Sequence, residues 1–259
     1  MDLGIAGRRA LVCGGSRGMG RAVAMRLAQE GAAVTIAARK PGPLGEAAEA
    51  IAAATGNPVG HVAADLTTEE GRAAILAACP EPDILVNNGD GMPPGDFRDW
   101  DRATWIRALD QMMLAPIAMI QGTVDGMMAR GWGRVVNIVS RSVKEPQAEL
   151  GLSNGARSGL VGFVAGLSRQ TVARGVTINN LLPGIVATDA QRAHVEGLVT
   201  MTGRPFGEIW AERAARNPAG RYGAPEEIAA CVAFLASAHA GFITGQSLLV
   251  DGGQYPGTY

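Results

Sequence analysis

The densest chemical signal lies at residues 14–20, where Gly14, Gly15, Ser16, Arg17, Gly18, Met19 and Gly20 link a short apolar run to an alanine-rich stretch. Glycines in this pattern let the chain turn sharply and bring backbone N–H groups against a pyrophosphate at the N-terminus of the helix that follows. Glycine turns are common; the position after a first strand and before a first helix is what points to a dinucleotide. A second signal concerns the adenosine ribose. Sites for a free 2′-hydroxyl carry an acid at the end of the second strand, but here that strand ends Ala37-Ala38-Arg39, and Arg17 enters from the turn. Two guanidiniums can clamp a 2′-phosphate through charge-assisted hydrogen bonds, so NADP(H) is the expected cofactor. The plain alternative is a pair of solvated arginines in an arginine-biased chain.

That bias makes one lysine conspicuous. Lys40 and Lys144 are the only two, and Lys144 lies in Arg141-Ser142-Val143-Lys144-Glu145-Pro146. A desolvated lysine can act as acid, base or Schiff-base former; the plain reading is a surface lysine paired with Glu145 or another carboxylate. Cys13, Cys79 and Cys231 form no C-x-x-C pair, and His61, His194 and His239 are isolated. Neither a metal site nor a disulfide framework is expected, which fits a reducing cytoplasm. Lys plus Arg is 23 against 24 for Asp plus Glu, so no basic field exists to hold nucleic acid or a membrane surface. Two arginines, Arg8 and Arg9, precede any long apolar run, and no later stretch reads as the ~18 uncharged apolar residues of a membrane span, so an unprocessed, soluble chain is expected.

The elements that must position these groups follow one pattern. Short β-branched runs at 9–13, 33–38, 59–63, 83–86, 133–139, 177–181 and 247–250 alternate with helical stretches at 18–30, 43–54, 68–78, 102–130, 151–174 and 225–236. This predicts an α/β fold with one doubly wound parallel sheet of seven strands and helices on both faces, filling residues 1–259 as a single domain. The polar segment 189–218 interrupts the alternation and would overhang the carboxyl ends of the strands, as a substrate lid.

The spacing G-x-x-x-G-x-G, with further segments at matching intervals, resembles the short-chain dehydrogenase/reductase family, and within it proteins similar to 3-oxoacyl-acyl-carrier-protein reductases. Asp65-Leu66 looks like the segment that binds adenine, and Asn87-Asn88-Gly89-Asp90 stands where the family has N-N-A-G. Gly133 to Ser140 resembles the fifth strand with its terminal serine; Pro183-Gly184-Ile185 and Thr188 resemble the loop that grips the nicotinamide amide. Gly220 to Ile228, Ile243 to Gln246 and Val250 to Gly253 match the C-terminal third, so the resemblance runs from about Gly7 to Gly253. It implies cofactor contacts at Gly14, Ser16, Arg17, Gly18, Met19, Gly20, Arg39, Asp65, Leu66, Asn88, Gly89, Arg157, Pro183, Gly184, Ile185 and Thr188.

At the chemical centre the resemblance fails. The family's catalytic tyrosine lies thirteen residues after the strand-five serine and its lysine four further on; counting from Ser140 reaches Ser153 and Arg157. The register set by Trp105 and Ala115-Pro116 puts Met112 where the family has an asparagine that joins a proton relay, and a thioether cannot donate to water. A phenol can be tuned into useful acidity, whereas an aliphatic alcohol is a far weaker acid and a guanidinium does not titrate usefully. The candidate catalytic residues are therefore Ser140, Ser153, Arg157 and Lys144. Asp90, where the family has glycine, is either an acid/base group or a loop-capping aspartate. Tyr255 or Tyr259 can supply a donor if the C-terminus reaches a neighbouring subunit's pocket, and Tyr222 reads as packing.

The expected activity is NADP(H)-dependent reduction of a carbonyl or an activated C=C bond with a non-standard proton donor. A non-redox lyase, dehydratase or epimerase, and a catalytically weak NADP(H)-binding protein, remain open. The helices at 102–130 and 151–174 carry more apolar surface than one sheet face covers, which suggests a homotetramer or homodimer.

Overall fold

The computed structural model describes residues 1–258, so Tyr259 lies outside the described residues. Seven parallel strands form one sheet: β1 (Arg9–Cys13), β2 (Ala33–Ala38), β3 (Gly60–Ala63), β4 (Ile84–Asn87), β5 (Gly133–Ile138), β6 (Val176–Pro183) and β7 (Ser247–Val250). Their spatial order is β3-β2-β1-β4-β5-β6-β7. The order reverses between β1 and β4, which opens a crevice at the carboxyl ends of those strands.

Alternate residues along each strand feed two cores. On one face, Ala10, Val12, Val34 and Ile36 pack with Val23 and Leu27 of α1 (Gly18–Gln29), Leu44 and Ile51 of α2 (Pro41–Thr55), and Ile228 and Val232 of a later helix, Pro225–Leu235. On the other, Leu11, Cys13, Leu85 and Val135 meet Ile75 of α3 (Glu69–Ala78) and the apolar sides of two long helical segments. Both faces of a crossover-linked parallel sheet are thus covered, which explains its continuous Val, Ile and Leu content.

The stretch expected as one helix at 102–130 is three segments in a continuous run: α4 (Arg102–Leu109), a π-helical section (Asp110–Leu114) and α5 (Ala115–Ala129). Pro116 has no N–H to give the carbonyl one turn back, and the Ala115 N–H bonds to the Asp110 carbonyl five residues earlier. The wider turn absorbs the missing donor. The helical run Arg102–Ala129 is long and apolar enough to cross a membrane by length and composition, although Asp110 and Asp125 interrupt it, so no uncharged apolar stretch of membrane-span length occurs in it. Its Met119, Ile120 and Met127 are nevertheless fully buried in the second core.

The helix expected at 151–174 is α6 (Gly151–Thr171) followed by a short 3-10 turn. The lid segment is more ordered than its polarity suggested: it forms α7 (Asp189–Thr202) and α8 (Phe206–Arg216), and the last long helix is α9 (Pro225–Leu235). The two ends of the lid are tied by a bridge between Val186 and Gly223. Within it, Trp210 stacks on Phe206 and, at 3.9 Å between centroids, on buried Tyr222, while Arg192 of α7 lies over the Trp210 ring.

Across the strand ends beside the crevice runs a buried chain of amides. The Asn87 amide donates to Asn137 at 2.9 Å, Asn137 to Asn180 at 3.1 Å, and Asn180 to the Ser247 hydroxyl at 3.4 Å. Each of these asparagines stands opposite the next in the strand register. Such a chain is stable only while complete, because a buried amide left without its partner retains the cost of losing water. Asn137→Ala is expected to lower stability by roughly 2–4 kcal/mol, read as a lower urea midpoint with an unchanged slope.

Candidate functional site

The glycine turn is held by close backbone approach. Gly14 and Gly18 have φ of +66° and +54°, conformations that side chains disfavour. A Cβ on Gly20 would lie 2.1 Å from the Gly14 carbonyl oxygen, and one on Gly14 would lie 2.6 Å from that of Asn88. The Asn88 amide donates to the Gly14 carbonyl at 3.3 Å, fastening the turn to the end of β4. Arg17 occupies the N-cap of α1 and its side chain caps nothing, so the first-turn N–H groups face the crevice without a capping side chain. These uncapped amides at the start of a helix fit a diphosphate.

Other expected cofactor residues are fixed by local hydrogen bonds, and Thr188 lies against the turn. Asp65 accepts from the Thr67 backbone N–H at 2.9 Å and its hydroxyl at 2.8 Å, bonds that hold its carboxyl below the usual range. Pro183 ends β6, and the Gly184 N–H donates to the Val250 carbonyl. Thr188 caps α7, accepting from the Gln191 N–H at 3.2 Å. A Cβ on Gly18 would touch the Thr188 methyl at 3.5 Å, which brings the start of the lid against the glycine turn.

Arg17 and Arg39 converge on one group. Arg39 Nη2 lies 2.7 Å from Asp90 Oδ2 and Arg17 Nη2 lies 3.5 Å from Asp90 Oδ1. The loop-capping reading of Asp90 is thereby corrected: its carboxylate meets the arginine pair, and its backbone carbonyl accepts from the Gln111 amide at 2.6 Å. Sequence reasoning missed Gln111, which sits in the π-helical section and carried no motif signal.

Deeper in the crevice, Asn87, Asn88, Gly89, Gln111, Met112 and Arg157 are among the residues enclosing a cleft of about 250 Å³. Met112 and Arg157 share this space, as expected from the register. Ser153 and Arg157 lie one turn apart on α6 and are both buried. Arg157 Nε donates to Ser153 Oγ at 3.1 Å and Nη1 to the Ile138 carbonyl at 3.2 Å. Among the described residues no carboxylate pairs with Arg157, and burial pushes its guanidinium down to about 10, still cationic at neutral pH. The Ser153 oxygen is fixed as an acceptor of an N–H, which leaves its own proton for another acceptor.

Ser140 follows β5 and starts a 3-10 turn, its Oγ accepting from the Ser142 N–H at 3.1 Å. Lys144 is not paired with Glu145. Arg141 takes that carboxylate, and Lys144 Nζ instead lies 5.8 Å above the ring of Tyr255. Tyr255 thus reaches the loop after Ser140 within its own subunit. Behind α6, Trp100 and Trp105 fill the space opened by Gly151 and Gly155, forming an apolar wall with Met112, Leu152 and Ala156.

A family model described as Enoyl-(Acyl carrier protein) reductase matches residues 14–254. The chain is similar to a 3-oxoacyl-[acyl-carrier-protein] reductase of Vibrio cholerae, 33% identical over 98% of this chain and 99% of that protein. It is also 34% identical to an acetoacetyl-CoA reductase of Rhizobium meliloti over 96% and 98% of the two. The L-sorbose reductase of Gluconobacter frateurii, solved with NADPH and L-sorbose, superposes with a TM-score of 0.92 at 29% identity, covering 98% of each chain. A protein described as a short chain dehydrogenase/reductase superposes at 0.85 with 32% identity over 99% of this chain and all of that one. With the parallel sheet, the glycine turn and these matches along nearly its whole length, the chain belongs to the short-chain dehydrogenase/reductase family.

Proposed function

We propose that this chain is an NADP(H)-dependent oxidoreductase that reduces a carbonyl or an activated C=C bond, and that a buried arginine–serine pair stands in for the usual tyrosine–lysine pair. NADPH-bound relatives and the arginines beside the glycine turn support the cofactor. One carboxylate touches both Arg17 and Arg39, so a single anion of phosphoryl size can bridge them. Gly14, Ser16, Gly18, Met19 and Gly20 would hold the diphosphate; Asp65, Leu66, Asn88 and Gly89 the adenosine; and Pro183, Gly184, Ile185 and Thr188 the nicotinamide end.

The observation that carries the catalytic reading is the Arg157 Nε to Ser153 Oγ bond, in which a buried cation without a carboxylate aligns a hydroxyl. When bound, the reduced nicotinamide supplies a hydride. Ser153 then donates a hydrogen bond to the substrate oxygen that gains charge, with the Arg157 cation behind it and Ser140 at the end of β5 as the second hydroxyl. Neither Ser153 nor Arg157 is a useful proton source at neutral pH, and Met112 conducts no water chain. The proton therefore comes from solvent or from a group on the loop after β5, where Lys144 sits. This favours substrates whose reduced form is a delocalised oxyanion, such as enones or enoyl thioesters, over simple ketones. Homotetramer or homodimer formation belongs to the same reading: Ile106 and Leu114, on the helical run that covers the second core, remain 40% and 47% exposed in the single chain.

Calorimetric titration is expected to show tighter binding of NADPH than of NADH; the reverse order would sink the cofactor assignment. In a panel followed at the NADPH absorbance, enones or enoyl thioesters should turn over, with simple ketones ~10²- to 10⁴-fold below a tyrosine-bearing relative. Ser153→Ala should lower kcat by about 10- to 1000-fold without changing cofactor affinity. The combined variant Ser153→Tyr, Arg157→Lys, Met112→Asn should gain ketone reduction. Size-exclusion chromatography at micromolar concentration should give a dimer or tetramer.

A further inference from the structure

We propose that Asp90 is an internal counter-ion of the 2′-phosphate clamp, a carboxylate that any 2′-phosphorylated ligand must displace and that therefore sets how strongly the protein prefers NADP(H) over NAD(H). The inference rests on the reading of Arg17 and Arg39 as that clamp and goes beyond it. Its basis is a single juxtaposition: the carboxylate at the end of β4 lies 2.7 Å from Arg39 and 3.5 Å from Arg17, so it occupies the place that the two guanidiniums share.

The placement is built into the fold. Asp90 leaves β4 two residues after Asn88, which is tied to the Gly14 carbonyl, and its own carbonyl is held by Gln111 at 2.6 Å. The backbone is thus fastened on both sides, and the side chain points across the crevice from β4 to the turn after β1 and the end of β2. No other acidic side chain forms an ion pair with Arg17 or Arg39 among the described residues.

The chemistry of displacement follows from exposure and charge. Arg17, Arg39 and Asp90 have 57%, 57% and 44% of their side-chain surface exposed, so the pairs are solvated and contribute little by themselves. A phosphate dianion carries more charge than the carboxylate and more acceptor oxygens, so it replaces Asp90 on the arginines. It enters, however, against the same pairs and beside a displaced negative charge. A ligand with a free 2′-hydroxyl need not break them. Asp90 therefore subtracts from the affinity for the 2′-phosphate and leaves the rest of the dinucleotide untouched.

The test is calorimetric binding of adenosine 2′,5′-bisphosphate and of adenosine 5′-monophosphate to the full chain and to Asp90→Asn, Asp90→Gly and Arg39→Ala, each first checked for a native circular dichroism spectrum. The glycine variant removes the side chain outright, at a position whose backbone is already in an ordinary conformation. Both Asp90 variants are expected to bind the bisphosphate about 5- to 30-fold more tightly and the monophosphate unchanged. Arg39→Ala should weaken the bisphosphate alone. Asp90 variants that leave bisphosphate affinity unchanged or lower it, or that raise both affinities equally, overturn the proposal even if Arg39→Ala behaves as expected. If Arg39→Ala leaves the bisphosphate unaffected, the clamp itself fails and the proposal falls with it.

Discussion

Everything in the crevice depends on how closely the chain can approach itself where β1 turns into α1. With 2.1 Å between the Gly14 oxygen and any Cβ at position 20, and Asn88 pressed against Gly14 from β4, no residue larger than glycine fits either place without moving the strand or the helix. The close approach aims the first turn of α1 at the gap between β1 and β4, where strand order reverses. It also brings Arg17 to the same edge as Arg39 from β2 and Asp90 from β4. Three residues far apart in sequence thus meet because Gly14 and Gly20 have no side chains.

The second constraint is electrostatic. Arg157 is 9% exposed and, among the described residues, donates to a serine oxygen and a backbone carbonyl. Neutral acceptors compensate a buried cation incompletely, and burial depresses its pKa for that reason. A lysine at this place would concentrate its charge at one atom. The guanidinium instead spreads charge across a planar fork that reaches Ser153 and the end of β5 together. The serine and the arginine are consequently one device: Arg157 sets which way the Ser153 hydroxyl is polarised, and Ser153 supplies one of the few acceptors available to it.

Much of this arrangement was legible in the sequence, and the misses have physical causes. β1, β2 and β7 have the bounds that their apolar runs suggested; in β1 apolar residues on both faces mark a covered parallel strand, whereas β7 is an edge strand with Leu248 exposed. β6 extends to Val176 and Pro183, since pairing with β7 buries Leu182 and Pro183 beyond the expected end. The π-helical section was invisible because widening one turn preserves apolar spacing closely enough to pass for a single helix. α7 and α8 were hidden by composition: each buries one apolar residue, Val195 and Ile209, while Gly203 and Pro205 between them read as irregular chain. Ser153 and Arg157 are reached by counting from Ser140, and the structure puts them one turn apart on α6 with Met112 and Arg157 lining one cleft. The Asp90 bridge could not be reached by counting, because strand order, not sequence distance, decides which loops share an edge.

The three departures at the chemical centre are physically coherent on the proposed reading. A tyrosine whose acidity is raised by a lysine needs protons delivered behind it, and an asparagine-held water chain does that. Once the phenol is replaced by a hydroxyl that does not release its proton, the delivery route has no task. A buried thioether at 112, packed with Trp105, Leu152 and Ala156, then needs no hydrogen-bond partner. On the proposed reading, the burial of Arg157 strengthens the field of its cation at the substrate oxygen. The site, so read, exchanges proton transfer for charge stabilisation. On that proposed reading the proton comes from solvent or from the loop after Ser140, where Lys144 Nζ lies over the ring of Tyr255.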